Sequence, residues 1–355
     1  MKRHGGLWPE LVSFHNLLRA ARNASRGKSR LANVARFGFD LEHQLVQIHD
    51  ELVSRTYQPG SYRTFEIFEP KRRMISAAPF RDRVVHHALC NVLEPIFERT
   101  FVFDSYACRR GKGTHAAVDR FQTFARKHRY VLKCDLRKFF PSVDHEILKE
   151  VVAHKIKDHD VRWLVDRIID NSNPQEPIDC CFPGDDLVTV AERRRGMPIG
   201  NQTSQFFANV LLNPFDHFVR DHLRVAGYVR YVDDFAIFGD SAAELSQLRD
   251  RCRQFLATLR LRLHPQKSVV SRTINGTRFL GYRVFPTHRR LPATNLILLR
   301  RRLRQMQKDY ARGIVDLASV RRRLVSWIGH ASHAETSQLR TDLLGGILFT
   351  RSSGE

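Results

Sequence analysis

The stretch Tyr228 to Phe238, YVRYVDDFAIF, decides how this chain is read. Two short apolar runs flank the pair Asp233-Asp234, and β-branched and aromatic residues on either side of two turn-forming acids predict a hairpin with both carboxylates at its bend. A second apolar run, Tyr130 to Asp135 (YVLKCD), predicts another strand, and it too ends in a carboxylate. Clustered, half-buried carboxylates repel one another unless a cation joins them. Asp135, Asp233 and Asp234 therefore point to a centre for divalent metal. Two magnesium ions about 3.5–4 Å apart would activate an attacking hydroxyl and clamp the leaving oxygen of a phosphoryl group, the chemistry of nucleotidyl transfer. An Asp-Asp pair alone is ordinary turn chemistry; the aspartate at the end of a second strand lifts the reading above it.

The composition agrees with a polyanionic partner. The 355 residues include 59 Lys and Arg against 37 Asp and Glu, a formal net charge of +22. Hydrophobic residues make up 42%, enough to build a core, which excludes a disordered basic tail. No uncharged apolar stretch approaches the ~18 residues of a membrane-spanning helix; Phe206 to Phe215 comes nearest and is broken by Asn209, Asn213 and Pro214. The opening MKRHGGLWPE carries no signal peptide, so a cytoplasmic location is expected. Cys90, Cys108, Cys134, Cys180, Cys181 and Cys252 lack any C-x-x-C spacing and read as reduced thiols. Adjacent His86 and His87 diverge by about 100° on a helix and do not form a ligand pair.

Outward from the two aspartate strands the pattern alternates between helix and strand. Leu41, Leu45, Ile48 and Leu52 recur at helical spacing, after a polar basic connector, Asn23 to Arg30. Tyr62 to Phe68 and Met74 to Ala78 predict a hairpin with Lys71, Arg72 and Arg73 at its tip. Val84 to Phe97 reads as a buried helix stopped near Pro95, and Ser142 with Asp144 and Glu146 supplies cap chemistry for the next helix. A Pro-, Gly- and Asp-rich segment, 171–195, reads as an inserted loop or ribbon. SQFFANVLLNPFDHFV is apolar on almost all sides, a core helix, and another helix is expected from about Ala242 to Leu261. From Thr294 onward the chain is helical and basic: between Arg289 and Arg323 eleven Lys and Arg face only Asp309 and Asp316.

YVDD at Tyr231 to Asp234 resembles the signature hairpin of reverse transcriptases, and further segments resemble that family's motifs in the family's order. KCDLRKFFPSVD (Lys133 to Asp144) is similar to its first catalytic motif and GMPIGNQTSQ (Gly196 to Gln205) to its nucleotide-binding motif. LHPQKS (Leu263 to Ser268) resembles its lysine motif, and FLGY (Phe279, Leu280, Gly281, Tyr282) its primer grip. The resemblance implies an α+β right-hand polymerase with fingers, an antiparallel-sheet palm of ferredoxin or RRM type, and a helical thumb. It implies that Asp135, Asp233 and Asp234, with the carbonyl of Leu136, hold two Mg2+ ions, Mn2+ being a substitute. Phe140 would block a ribose 2′-hydroxyl, Arg73 and Lys71 would bind the triphosphate, and Lys267 would protonate the leaving pyrophosphate. Arg72 competes with Lys71 if the hairpin register differs by one.

The nucleotide-binding motif departs from the common pattern, with Ile199-Gly200 where most of the family has Gln-Gly and Gln205 where most have Pro. The combination resembles the reverse transcriptases of diversity-generating retroelements, as do RDRVVHHALCNVLEPIFE, YACRRGKGTHAAV and SWIGHASHAETSQL. That subfamily implies copying of a template RNA with errors at adenines. It also implies as partners an RNA·DNA primer–template duplex, dNTPs and a small, basic, helical accessory variability protein. The expected layout is an N-terminal helical extension (1–60), fingers with part of the palm (61–130), palm (131–288) and basic thumb (289–355). No maturase or endonuclease motif follows Glu355, which weighs against an intron-encoded enzyme. A retron or phage-defence reverse transcriptase is the alternative within the class, and a catalytically inactive RNA-binding protein the alternative outside it.

Overall fold

The computed structural model, which describes residues 3–68, 72–173, 181–182 and 184–351, is built around one main sheet. The strands are β1 (Arg63–Ile67), β2 (Arg73–Ala77), β3 (Tyr130–Asp135), β4 (Gly227–Tyr231), β5 (Asp234–Gly239) and β6 (Val269–Arg272), followed by β7 (Thr277–Phe279), β8 (Tyr282–Val284) and β9 (Arg289–Arg290). β4, β5, β3 and β6 lie side by side in that order, every pair antiparallel. Helices fill the gap between β3 and β4, and the helix Ala242–Thr258 the gap between β5 and β6. This is the β-α-β-β-α-β plan of a ferredoxin-like core, as expected from the sequence.

Both faces of that sheet are covered, which is why its strands read as almost unbroken apolar runs. Leu132, Cys134, Tyr228, Phe235 and Ile237 join the core built on the helix Gln202–His217. Their alternates, Val131, Val229, Ala236 and Phe238, pack with Phe121 and Phe124 of the helix Thr114–Lys127 and with Phe279 and Tyr282. The same parity puts Lys133, Asp135 and Asp234 on the second face, that of β7 and β8.

β1 and β2 form the expected hairpin, with Ile67 opposite Arg73. Its tip residue Lys71 lies outside the described residues, as does Cys180. β7, β8 and β9 form a small separate sheet. Beyond it come the helices Ala293–Ala311, Leu317–Ala331 and Ser337–Leu344, tied together by a small cluster around Leu299, Leu303 and Met306. Among the described residues no helix is long and apolar enough to cross a membrane.

Three local expectations are corrected. The helix Phe80–Glu98 starts directly after Pro79 and runs through Pro95. A helix-interior proline costs about 3 kcal/mol. Val92, Leu93 and Phe97 are buried on either side of it, and at roughly 1.5–3 kcal/mol each their burial outweighs that cost. The helix His145–Ala153 is capped by Asp144, whose carboxylate accepts from Ile147 N–H, and not by Ser142, which ends a short preceding turn of helix. Within the segment read as a loop or ribbon, Leu187–Glu192 is a helical turn capped by Asp186.

Candidate active site

Asp135 is the last residue of β3 and Asp234 the first of β5, and the two are register partners across the ladder. Asp233 occupies the two-residue turn between Tyr231 and Asp234. Paired strands lie about 4.8 Å apart, so strand pairing alone brings residues a hundred positions apart in sequence to one sheet edge. The Leu136 N–H donates to the Asp233 carbonyl at 3.1 Å, which ties the end of β3 to the turn.

The turn is strained. Val232 has φ +53°, a left-handed conformation that β-branched residues rarely adopt. A network beneath it holds the backbone there. Arg230, fully buried, donates to the Val232 carbonyl at 3.1 Å and to Asn209 Oδ1 at 3.2 Å. Its other guanidinium nitrogens grip buried Asp216 at 2.6 and 2.5 Å, and the Tyr228 hydroxyl donates to the same carboxylate. Asn209 and Asp216 lie on the helix Gln202–His217, so the helix that follows the Gly196–Gln205 motif also anchors the turn.

Burial pushes the Asp234 carboxyl up to about 6; Lys133 opposes the rise, and Asp135 and Asp233 add to it. Burial and the Asp135 charge also raise Asp233, while Arg73 and Lys133 hold it down. Lys133 Nζ stands 2.9 Å from Asp234 Oδ1, and Lys267 Nζ donates to Asp135 Oδ2 at 2.5 Å. Among the described residues no three carboxylate, imidazole or thiolate side chains form a ready-made cage. The donors nonetheless fit hard divalent cations: they are oxygens, desolvated and mutually repelling, and each pairing lysine stands where positive charge is needed. Lys133 was missed in the sequence; its place two residues before Asp135, on the same strand face, was the available signal.

The two described arginines next to each other in the β1–β2 hairpin differ in their partners. Arg73 acts on Asp233, whereas Arg72 is held at 3.0 and 2.7 Å by Glu66. Ile199 and Gly200 sit against β2: the Ile199 carbonyl accepts from Ser76 N–H at 2.9 Å, and a Cβ on Gly200 (φ +119°) would meet Ile75 Cγ2 at 3.0 Å. Asn201, also unforeseen, accepts from Ala78 N–H at 3.2 Å and donates to the Ser76 carbonyl at 3.0 Å. Phe140 packs edge-on against buried Phe139 at 5.3 Å, and its carbonyl accepts from Met197 N–H at 2.9 Å, joining the two motifs. Gln205 accepts from Cys108 Sγ at 3.3 Å and lines a cavity of about 430 Å³ with Lys28, Arg83, His86 and Gln202. Asn23 and Ala24 of the helix Phe14–Ser25 and Gly200 and Asn201 of the motif line it too.

Phe279 to Tyr282 form the tight hairpin of β7 and β8. Leu280 (φ +46°) and Gly281 (φ +89°) make the turn, Phe279 stacks on Phe121 at 4.7 Å, and the Tyr282 hydroxyl meets His330 at 2.8 Å.

Known proteins are similar to this chain in sequence. The E. coli K12 protein YkfC is 27% identical over 286 residues, covering 68% of this chain and 71% of its own. The group II intron-encoded protein LtrA of Lactococcus lactis is 21% identical over 307 residues, covering 68% of this chain and 49% of LtrA. The putative COX1/OXI3 intron 2 protein of Saccharomyces cerevisiae is 24% identical, covering 77% of this chain and 37% of that protein. The chain thus spans less than half the length of these two intron proteins. Apo telomerase from Candida tropicalis superimposes with a TM-score of 0.45 at 12% identity, over 66% of this chain and 49% of telomerase. The family model described as reverse transcriptase (RNA-dependent DNA polymerase) matches residues 68–284, which include all three aspartates, and the chain belongs to that family.

Proposed function

We propose that this chain is an RNA-directed DNA polymerase that extends a DNA primer on a template RNA, in a diversity-generating retroelement. The observation that carries the polymerase reading is Asp135 set opposite Asp234 with Asp233, on which Arg73 acts, in the adjoining turn. Asp135, Asp233 and Asp234, with the Leu136 carbonyl, would hold two Mg2+ ions, or Mn2+ in their place. Bound there, the ions supply an activated primer 3′-hydroxyl and charge neutralisation at the α-phosphate. Lys267, which donates to Asp135, would protonate the departing pyrophosphate; Arg73, with Lys71 two positions before it, would neutralise the same leaving group. Phe140, buttressed by Phe139, stands as the wall against a 2′-hydroxyl.

The retroelement assignment rests on residues and not on relatives. Ile199 offers no amide to hydrogen-bond near the nascent base pair, so base discrimination there relies on shape alone. Gln205 would act from the cavity that it lines with Arg83. The basic C-terminal helices would grip the backbone of an RNA·DNA duplex without reading its sequence. A small, basic, helical accessory protein would complete the complex. The intron-encoded relatives favour a second reading, an intron-type enzyme. One assay separates them. Wild type and Asp233→Ala are given primer, template RNA, dNTPs and Mg2+, and the products are sequenced. Synthesis lost in the variant, with errors concentrated at template adenines, supports the proposal. Accurate copying favours the intron reading, and synthesis that persists in the variant removes the aspartates from catalysis.

A further inference from the structure

Two of the segments set apart in the sequence, YACRRGKGTHAAV (106–118) and SWIGHASHAETSQL (326–339), meet in space through three histidines. His115 stands at the start of the helix Thr114–Lys127, His330 near the end of the helix Leu317–Ala331, and His333 in the turn after it. The His115 and His333 rings stack with centroids 3.4 Å apart and planes at 20°. His330 lies 6.4 Å from His115 and 4.6 Å from Tyr282. The buried Tyr282 hydroxyl donates to the His330 carbonyl at 2.8 Å, so its oxygen accepts from His330 Nδ1, also at 2.8 Å. The Gly281 turn rests on the same ring: a Cβ there would meet His330 Cε1 at 3.4 Å. On the other side, Thr114, next to His115, donates from Oγ1 to the Tyr231 hydroxyl at 3.2 Å. A continuous set of contacts thus runs from YVDD through the imidazoles to FLGY.

Of the charged groups around the cluster, Asp119 favours a proton on His115 and Arg289 opposes it. Asp119, on the helix of His115, is ion-paired at 2.6 Å with Arg289 of β9. Arg289 also approaches the His333 carbonyl at 3.5 Å, and Tyr282 faces the cluster from β8. Burial lowers the affinity of His115 and His330 for a proton, and each is lowered further by its histidine neighbours. Neutral rings stack; two charged rings at this distance repel.

We propose that His115, His330 and His333 are positioning residues, an imidazole lock that holds the helix Leu317–Ala331 on the Phe279–Tyr282 turn and so sets the primer end against Asp233 and Asp234. What is held rests on the polymerase reading; the lock itself does not. An imidazole with an ordinary pKa of about 6.5 when the lock is open disfavours closure by about tenfold at pH 5.5 for each ring kept neutral.

The test is duplex binding by the full chain, read by fluorescence anisotropy with a short DNA primer annealed to RNA, without dNTPs or divalent cations. Wild type is compared with His115→Phe/His333→Phe, which keeps a stacked pair but cannot protonate it, at pH 7.5 and 5.5. The affinity of wild type relative to the variant should fall about tenfold or more between the two pH values. An equal ratio at both overturns the lock. Should the double variant fail to fold, His333→Phe alone carries the comparison, because His333 is on the exposed rim. His330→Phe, which removes the Nδ1 donor to Tyr282, should speed duplex dissociation several-fold at both pH values, and unchanged dissociation counts against the proposal. Wild type that binds with the pH shift but extends nothing when Mg2+ and dNTPs are added refutes the polymerase reading alone; wild type that binds no duplex refutes both.

Discussion

Asp234→Asn should stabilise the metal-free protein while abolishing synthesis. In the folded chain the Asp234 carboxyl is raised from 3.8 to about 6, and that net rise already includes the attraction of Lys133 at 2.9 Å. A rise of about two units means that the ionised form destabilises the fold by about 3 kcal/mol relative to the neutral one. The folded state therefore binds the proton more tightly than the unfolded state. The penalty is absent below about pH 4, grows as pH rises, and is complete above the folded value near 6. Asparagine keeps the shape of the neutral acid and escapes the penalty. Urea unfolding in EDTA should show the variant more stable by up to about 3 kcal/mol at pH 7.5, and by about half of that at pH 5. Mg2+ should raise the midpoint of wild type and leave that of the variant in place, because only the wild type gains a ligand on folding. A variant less stable than wild type at pH 7.5, or a gap identical at both pH values, would refute the reasoning that burial and like charge strain this carboxylate.

Three further outcomes are expected. Phe140→Val should reduce discrimination against ribonucleotides by about tenfold or more, measured as primer extension with rNTPs against dNTPs, since the ring buttressed by Phe139 would no longer fill the wall. Ile199→Gln should lower errors per template adenine in sequenced cDNA; an unchanged spectrum takes this residue out of the fidelity account. Arg230→Met should destabilise the fold by about 3–5 kcal/mol in urea, because Asp216 is left charged and unpaired in the core. Pairing it with Asp216→Leu should recover most of that stability but not primer extension, as the Val232 carbonyl still lacks its donor.

Strand pairs and their acids were legible because their information is local. Alternating or continuous apolar runs around YVLKCD and YVRYVDDFAIF predict β3, β4 and β5, and sequence alone can mark Asp135 and Asp234 at strand ends and Asp233 in the turn between strands. Helix ends were less legible. Pro95 predicts a stop, but burial of Val92, Leu93 and Phe97 decides otherwise, and that burial depends on helices distant in the chain. Asp144 and Ser142 are both good caps, and only the backbone path around Phe139 chose between them.

By itself, then, the sequence determined the α+β plan, the three aspartates and the basic surroundings, because periodicity, strand-end position and charge are properties of neighbouring residues. Tertiary structure alone decided who faces whom. It left Arg73 to act on Asp233 and paired Arg72 with Glu66. It placed Lys133 and Lys267 on the carboxylates, buried Arg230 under a strained valine, and joined His115 to His330 and His333. Each of these pairings links residues on separate elements or fixes which way a side chain points, and no local pattern specifies either; the packing of the sheet, its covering helices and the C-terminal helices does.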